Sequence, residues 1–321
     1  MQKAYLMALY DIAVKDSRVL SVLSDSGTGY DELFRREMPD RLLDFGIAEG
    51  NMVGAAAGLA SVGFIPFVYT AGAFLAYRAY EFIRDDVCLQ NQNVKIVGMG
   101  TGLAWSTLGP THHTTEDLGI LCALPNMTVL SPSCPREVEK CVKAAYEIEG
   151  PVYLRIGMSG ETDIYGDDYD FVLGRNVCIF ENLKENAKSL AVLSTGSESG
   201  EALRCTEALS DMGYSTAFYN VHTLKPFDED NVKALALDFD YIITIEEHSI
   251  FGGLGSLVSD VVAGMGGTLP KACVFKIGLN GSFAKGYGTQ QEVRLANGLD
   301  AEGLLEQIKA FLLSDAELTD E

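Results

Sequence analysis

Four groups of residues in this chain have types and spacings that could do chemistry. In DFGIAEGNMVGAAAGLASVG, Glu49 heads a run of small residues from Gly54 to Gly58. A helix that lean lets another backbone or a neighbouring subunit come close. A carboxylate at its start either complements the helix dipole or, in apolar surroundings, meets a hydrogen-bonding nitrogen. In AFLAYRAYEF, Phe74, Tyr77 and Tyr80 recur every three residues, so on a helix they share one face, as core packing or as an aromatic platform. LGPTHHTTEDLG places His112 and His113 in a Gly-Pro loop that opens a helix, where imidazoles serve as acids, bases or anion binders. FGGLGS, residues 251–256, is either an anion-binding nest or a tight turn.

Other glycine-rich stretches do not complete a motif. GMGTGLAW stops short of GxGxxG, and no acidic residue follows at the distance a dinucleotide ribose requires. STGSESG lacks the GK[ST] ending of a phosphate-binding loop. With four His, no HExxH and no CxxC, the chain is not expected to build a zinc site by itself. Its seven Cys are scattered and odd in number, and read as reduced thiols of a cytoplasmic protein. Lys plus Arg is 24 against 45 Asp plus Glu, a net charge of −21 that argues against a nucleic-acid-binding surface. It leaves room for an anionic small substrate, because a pocket can differ in sign from the whole. No apolar run approaches the roughly 20 residues that cross a bilayer, and Lys3 and Asp11 interrupt the apolar start, which speaks against a signal peptide.

The elements that must hold these residues follow from alternation. A length of 321 residues predicts two domains. IPFVYT, VKIVGMG, MTVLSPS and PVYLRIG are short, branched and bounded by turn residues, so they predict buried strands. Helical spacing covers 49–61, 73–90, 114–123 and 135–147, the last with Pro135 in its first turn and Gly150 beyond its end. Residues 160–188 are richer in acids and Gly and show no helical period, which marks a linker. Beyond them SLAVLSTG, STAFYNV, YIITIEE and ACVFKIG predict strands, with helices near 199–212, 228–236, 255–264 and 301–313, and a tail, LSDAELTDE, expected to fray. The fold class is α/β, two doubly wound domains with parallel sheets covered by helices on both faces.

Taken together, the motifs resemble the C-terminal half of transketolase, a thiamine diphosphate enzyme. GIAEGNMVGAAAGLA resembles the segment carrying the thiamine-activating Glu, with Gly50 where Gln is common. AFLAYRAYEFIRDDV is similar to the aromatic segment, and GPTHHTTED to the GPTHQ loop. LPNMTVLSP, GPVYLRIG, VHTLKPFD and IEEHSIFGGLGS fit later motifs, so the resemblance runs in order along almost the whole chain. It implies a pyrimidine-binding domain over 1–165, a linker over 166–188 and a transketolase C-terminal domain over 189–321. It also implies that Glu49 bonds the cofactor's pyrimidine nitrogen, that Phe74, Tyr77 and Tyr80 hold the aminopyrimidine, and that His112, with His113 beside it, faces the substrate.

The resemblance implies a partner as well. No GDG-containing diphosphate and magnesium motif is present in the sequence. The expectation is therefore the smaller subunit of a split transketolase: it dimerises within an α2β2 assembly, and its partner chain holds the diphosphate and magnesium. The expected reaction moves a two-carbon ketol unit from a ketose to an aldehyde. Rival readings are a 2-oxoacid dehydrogenase β-subunit, a deoxyxylulose phosphate synthase-like enzyme and a non-catalytic regulatory subunit. Where transketolases grip the sugar phosphate with Arg, Ser and His, this chain has Gln2, the region of Gly29, Gly100 and Met158. Leu108 replaces the Asp that reads a substrate hydroxyl; Arg155 is a substitute cation, but three residues before Met158 on a strand it faces the opposite side. The expected substrate therefore departs from the ordinary pentose phosphates.

Overall fold

In the computed structural model, which describes residues 1–25, 31–158, 163–166 and 169–319, the apolar runs of the first half lie side by side as parallel strands. They are β1 (Val19–Leu23), β2 (Leu42–Asp44), β3 (Ile65–Ala71), β4 (Lys95–Met99), β5 (Thr128–Leu130) and β6 (Val152–Ile156), ordered β5-β6-β4-β3-β1-β2. β1, β4 and β6 are buried along their whole length, as strands covered on both faces must be. Six helices belong to this half: α1 (Gln2–Ala13), α2 (Glu32–Glu37), α3 (Glu49–Ser61), α4 (Tyr80–Phe82), α5 (Asp117–Cys122) and α6 (Pro135–Glu147). α1 and α6 cover one face, where Tyr5, Leu9, Val138 and Val142 meet Phe67, Val97 and Leu154. α3 and α5 cover the other, where Met52, Val53, Leu118 and Leu121 meet Val22, Val68 and Ile96.

The second half contributes β7 (Val177–Asn182), β8 (Ser189–Ser194), β9 (Ser215–Asn220), β10 (Thr223–Lys225), β11 (Tyr241–Ser249) and β12 (Cys273–Leu279). Its helices are α7 (Ser199–Asp211), α8 (Glu229–Asp238), α9 (Leu254–Ala263), α10 (Gln290–Asn297) and α11 (Ala301–Thr319). The second sheet runs β12-β11-β8-β9-β7, parallel except for β7. β10 leaves it and adds antiparallel to β5, so the first sheet has seven strands, one of them from the other half. One apolar cluster crosses the boundary, from Val22 and Leu118 to Leu224, Ile242 and Leu254.

Three stretches that the sequence reading covers differ from it, and that reading has no counterpart for α1, α2, α10, β1, β2 and β10. β7 lies within the acidic stretch at 160–188; as an edge strand it pairs on one side only and needs no apolar run. α11 continues to Thr319, because the tail is rich in Leu, Ala and Glu and has no Gly or Pro to stop it. The helix expected over 73–90 is broken into two wide, π-helical stretches, Phe74–Arg78 and Ile83–Cys88, on either side of α4.

Apart from those at the chain start and Arg155, which lies within β6, the described candidate residues of the first half lie beyond the carboxyl end of a strand. Glu49 follows β2, Phe74 follows β3, Gly100 and the 109–113 loop follow β4, and Met158 follows β6. In open parallel sheets that edge is where ligands bind, since loops there splay apart while the strands stay fixed.

Candidate active site

Glu49 is the first residue of α3 and only 2% exposed. Its carboxylate oxygen Oε2 lies 2.9 Å from the Arg78 guanidinium, whose side chain is 54% exposed. At the next residue, Gly50, a Cβ would come within 2.8 Å of the Phe82 ring. A longer side chain at this position would have to push the partly exposed Phe82 ring aside.

The three aromatics do not form a simple helical stripe, because the π-helical turn from Phe74 changes the spacing and Ala79 (φ −95°, ψ 10°) interrupts the helix before Tyr80. They meet one continuous segment instead. Phe74 packs edge-on against His112 at 5.0 Å between ring centres. The Tyr77 hydroxyl donates to Glu116 at 2.6 Å and accepts from the Thr115 and Glu116 amides. The Tyr80 hydroxyl donates to the Ile120 carbonyl at 3.1 Å. Tyr77 and Tyr80 therefore hold the start of α5 in place, and burial with the neighbouring carboxylates raises the Tyr77 phenol far above its ordinary range. Phe74 keeps no polar duty, and the Arg78 guanidinium lies over its ring, 4.9 Å from the centre.

The two histidines point different ways. His112 is half-buried, with Nδ1 2.9 Å from the Thr111 hydroxyl and its ring between Phe74 and Trp105. His113 is 4% exposed, and neither ring nitrogen has a hydrogen-bond partner among the described residues. Burial lowers its pKa, which keeps it neutral at pH 7, with Glu247 and Glu116 opposing weakly.

Around Gly100, apolar surface from Trp105 and Met158 dominates. Gly100 sits at φ +64°, and a Cβ there would overlap the indole nitrogen of Trp105. Trp105 thus fills the room a side chain at position 100 would need, and its Nε1–H is buried with no acceptor among the described residues. The Gln2 amide donates to the Tyr69 hydroxyl at 2.7 Å, and the Met158 carbonyl accepts from the Met1 and Gln2 nitrogens. Met158 and Trp105 both pack on the α1–α6 side of the core, and Leu108 is exposed. The Gly29 region lies outside the described residues. Arg155 is not available to a substrate: it is 2% exposed and pairs with buried Asp117 at 2.9 Å, while donating to the carbonyls of Thr114 and Glu247.

Several residues that the sequence did not single out organise this region. Asp117 accepts from Tyr153 and Arg155. Glu247 accepts from the Leu103 amide, Gln290 and Arg294. Glu246 accepts from the Leu254 and Gly255 amides at 2.8 Å each, so the FGGLGS turn does bind an anion, and that anion is the chain's own carboxylate. His248 Nδ1 donates to the Ser249 carbonyl at 2.7 Å while Nε2 accepts from the Gly119 amide, which fixes its tautomer. Together these weld the two halves behind the 109–117 loop. Arg78 carried a signal in the sequence, being four residues after Phe74, within reach of a cation–π contact on a helix.

The donor set suits the aminopyrimidine end of thiamine diphosphate: a nearly buried carboxylate beside an aromatic face, where a planar N–H donor already lies. Among the described residues no group of three or more His, Cys, Asp or Glu is placed to hold a metal ion. No helix among them is long and apolar enough to cross a membrane.

Comparison with known proteins identifies the family. The family model described as "Transketolase, pyrimidine binding domain" matches residues 1–159, and "Transketolase, C-terminal domain" matches 181–285. A putative transketolase C-terminal section from Methanocaldococcus jannaschii is 34% identical over 96% of this chain and 95% of its own. One of the subunits of an apulose-4-phosphate transketolase from Actinobacillus succinogenes is 34% identical over 85% of each chain. A solved split-gene transketolase, described as an inactive beta4 tetramer, superposes with a TM-score of 0.85 at 33% identity, covering 96% of this chain and 97% of that one. With both domains in order, over nearly its full length, the chain belongs to the transketolase family, whose members are thiamine diphosphate-dependent transferases.

Proposed function

We propose that this chain is the pyrimidine-binding subunit of a two-chain transketolase of the cytoplasm, moving a two-carbon ketol unit from a ketose to an aldehyde. The observation that carries the reading is the convergence of Glu49, Phe74 and His112 at the carboxyl edge of the first sheet. When bound, thiamine diphosphate supplies the electron sink that lets the bond beside a ketone break and re-form. Glu49 would hold the pyrimidine ring nitrogen through a charge-assisted bond strengthened by its burial. Phe74 would offer the ring an aromatic face. His112, whose Nδ1 is engaged by Thr111, presents Nε2 to the substrate oxygens and exchanges protons with them. Tyr77 and Tyr80 brace the segment that carries His112, and His113 forms a neutral wall behind it.

The partner subunit holds the diphosphate and magnesium, in an α2β2 assembly whose relatives of the same length are named as subunits or sections. The substrate is a ketose whose terminal group meets no free cation at that end among the described residues, since Trp105, Met158 and Gln2 occupy it and Arg155 is committed to Asp117. The relative named for apulose-4-phosphate takes a non-standard sugar that does carry a phosphate. Phosphorylated and unphosphorylated ketoses therefore both belong in the test. The experiment combines this chain with a diphosphate-domain partner, cofactor and magnesium, and screens ketose donors against aldehydes. Ketol transfer to an aldehyde, with poor use of xylulose 5-phosphate and ribose 5-phosphate, is expected. Release of carbon dioxide from 2-oxoacids without ketol transfer, or full turnover by this chain alone, would overturn the reading.

A further inference from the structure

Arg78 touches both groups assigned to the aminopyrimidine. Its Nη1 is 2.9 Å from Glu49 Oε2, and its guanidinium carbon stands 4.9 Å above the centre of the Phe74 ring. A guanidinium is flat, delocalised and edged with N–H donors, so it can lie against an aromatic face and present N–H groups to a carboxylate at once. An aminopyrimidine held by Glu49 and Phe74 would use the same two surfaces in the same way. A guanidinium and an aminopyrimidine would therefore compete for that pair. We propose that Arg78 is a built-in occupant of the pyrimidine site, in place while the subunit is unloaded and displaced when the cofactor enters.

The packing supports a contact made to be broken. Glu49 is nearly buried and has no hydrogen-bond donor other than Arg78 among the described residues, so the guanidinium neutralises a carboxylate that would otherwise be stranded in an apolar setting. The arginine, in contrast, is more than half exposed, so it reaches solvent by a side-chain rotation without disturbing the fold. The following residue, Ala79, has already left helical geometry. Occupancy by Arg78 lowers the fraction of molecules ready for cofactor, and the apparent affinity falls by that fraction. A half-exposed ion pair with a cation–π contact sets that factor at about ten.

This inference rests on the functional reading above, and its test separates the two. Thiamine diphosphate is titrated into the assembled two-chain complex with magnesium, following the fluorescence of Trp105, the chain's single tryptophan, which lies 6.4 Å from His112 between ring centres. Arg78→Gln is expected to bind about tenfold more tightly and faster than wild type. In the isolated chain the same substitution is expected to lower the melting temperature, and Glu49→Gln added to Arg78→Gln to restore it. Weaker binding by Arg78→Gln would show that the arginine stays with Glu49 as a positioning group, and unchanged binding that it is a bystander; either overturns the proposal while the functional reading stands. A wild-type complex that binds no thiamine diphosphate would overturn both.

Discussion

Two sets of polar side chains flank the 109–117 loop and are built in opposite ways. Behind it, Arg155, Asp117, Tyr153, Glu246 and Glu247 are buried, and each has partners within the chain from a different element. In front, Glu49 has a single partner on a solvent-exposed side chain, and the nitrogens of His113 and Trp105 have none among the described residues. Buried polar groups in native proteins are nearly always paired, so the two sets differ in how far the chain itself satisfies them. The first set holds the halves together; under the proposed function, the second would be finished by a cofactor, a substrate or another subunit.

The sharpest way to break this comparison is Glu49→Gln. The change keeps the volume and removes the charge-assisted bond, so the assembled enzyme should fold normally and lose about 10²–10⁴-fold in turnover. Steady-state rates at saturating cofactor measure it, and wild-type-like turnover would place the activating carboxylate elsewhere.

Arg155→Met attacks the other side. It leaves Asp117 buried without its cation and removes one donor each from the Glu247 carbonyl and from the Thr114 carbonyl, which keeps the Gly102 amide, for a cost of about 3–5 kcal/mol. Denaturant unfolding of the isolated chain reads that loss. If Arg155 gripped substrate instead, stability would hold and only the Michaelis constant would rise.

A finer test compares the paired histidines. His112→Ala should lower turnover of the assembled enzyme by about tenfold or more beyond His113→Ala, with cofactor affinity nearly unchanged by either. His113 lies against the core, so its replacement should appear first in thermal stability. The reverse order of rates would mean that the loop presents His113 to the substrate.

Much of this was legible in the sequence. Strands such as VKIVGMG and YIITIEE declared themselves because buried parallel strands leave a continuous apolar run. The position of Glu49 at a helix start followed from the lean segment behind it. β2, β7 and β10 were missed because edge strands and three-residue strands have no pattern to recognise, and β1 was missed although VLSVL is a continuous buried run. The Asp117–Arg155 pair was missed because its partners are 38 residues apart, and charge in a sequence does not announce its own burial. The aromatic spacing was read on an ordinary helix, whereas a π-helical turn sets the real directions, and Arg78 was overlooked among more conspicuous rings.

The smallest expected effect concerns a buried cation at the far end of the same sheet. Lys95 opens β4, at the edge opposite the site, and is fully buried. Its Nζ donates to the Ile148 carbonyl at 2.6 Å and the Gly150 carbonyl at 2.8 Å, and no carboxylate pairs with it among the described residues. Burial pushes its pKa down to about 7, with Glu149 opposing only weakly. In an unfolded chain the same amine titrates near about 10.4. Below pH 7 both states carry the proton, and the native state bears the cost of a buried charge. Between those two values the unfolded chain holds a proton that the folded chain has released, so this residue makes stability rise with pH and level off near pH 10. Lys95→Met should abolish that rise: the melting temperature of wild type should gain a few degrees on the variant between pH 7 and 9. A gap between the two proteins that stays constant over that range would mean that the two carbonyls alone keep Lys95 charged. A cation satisfied by hydrogen bonds inside the chain, without a counter-ion, would then be as settled as the Arg155 pair, and the contrast with Glu49 would rest on hydrogen-bond count rather than on charge.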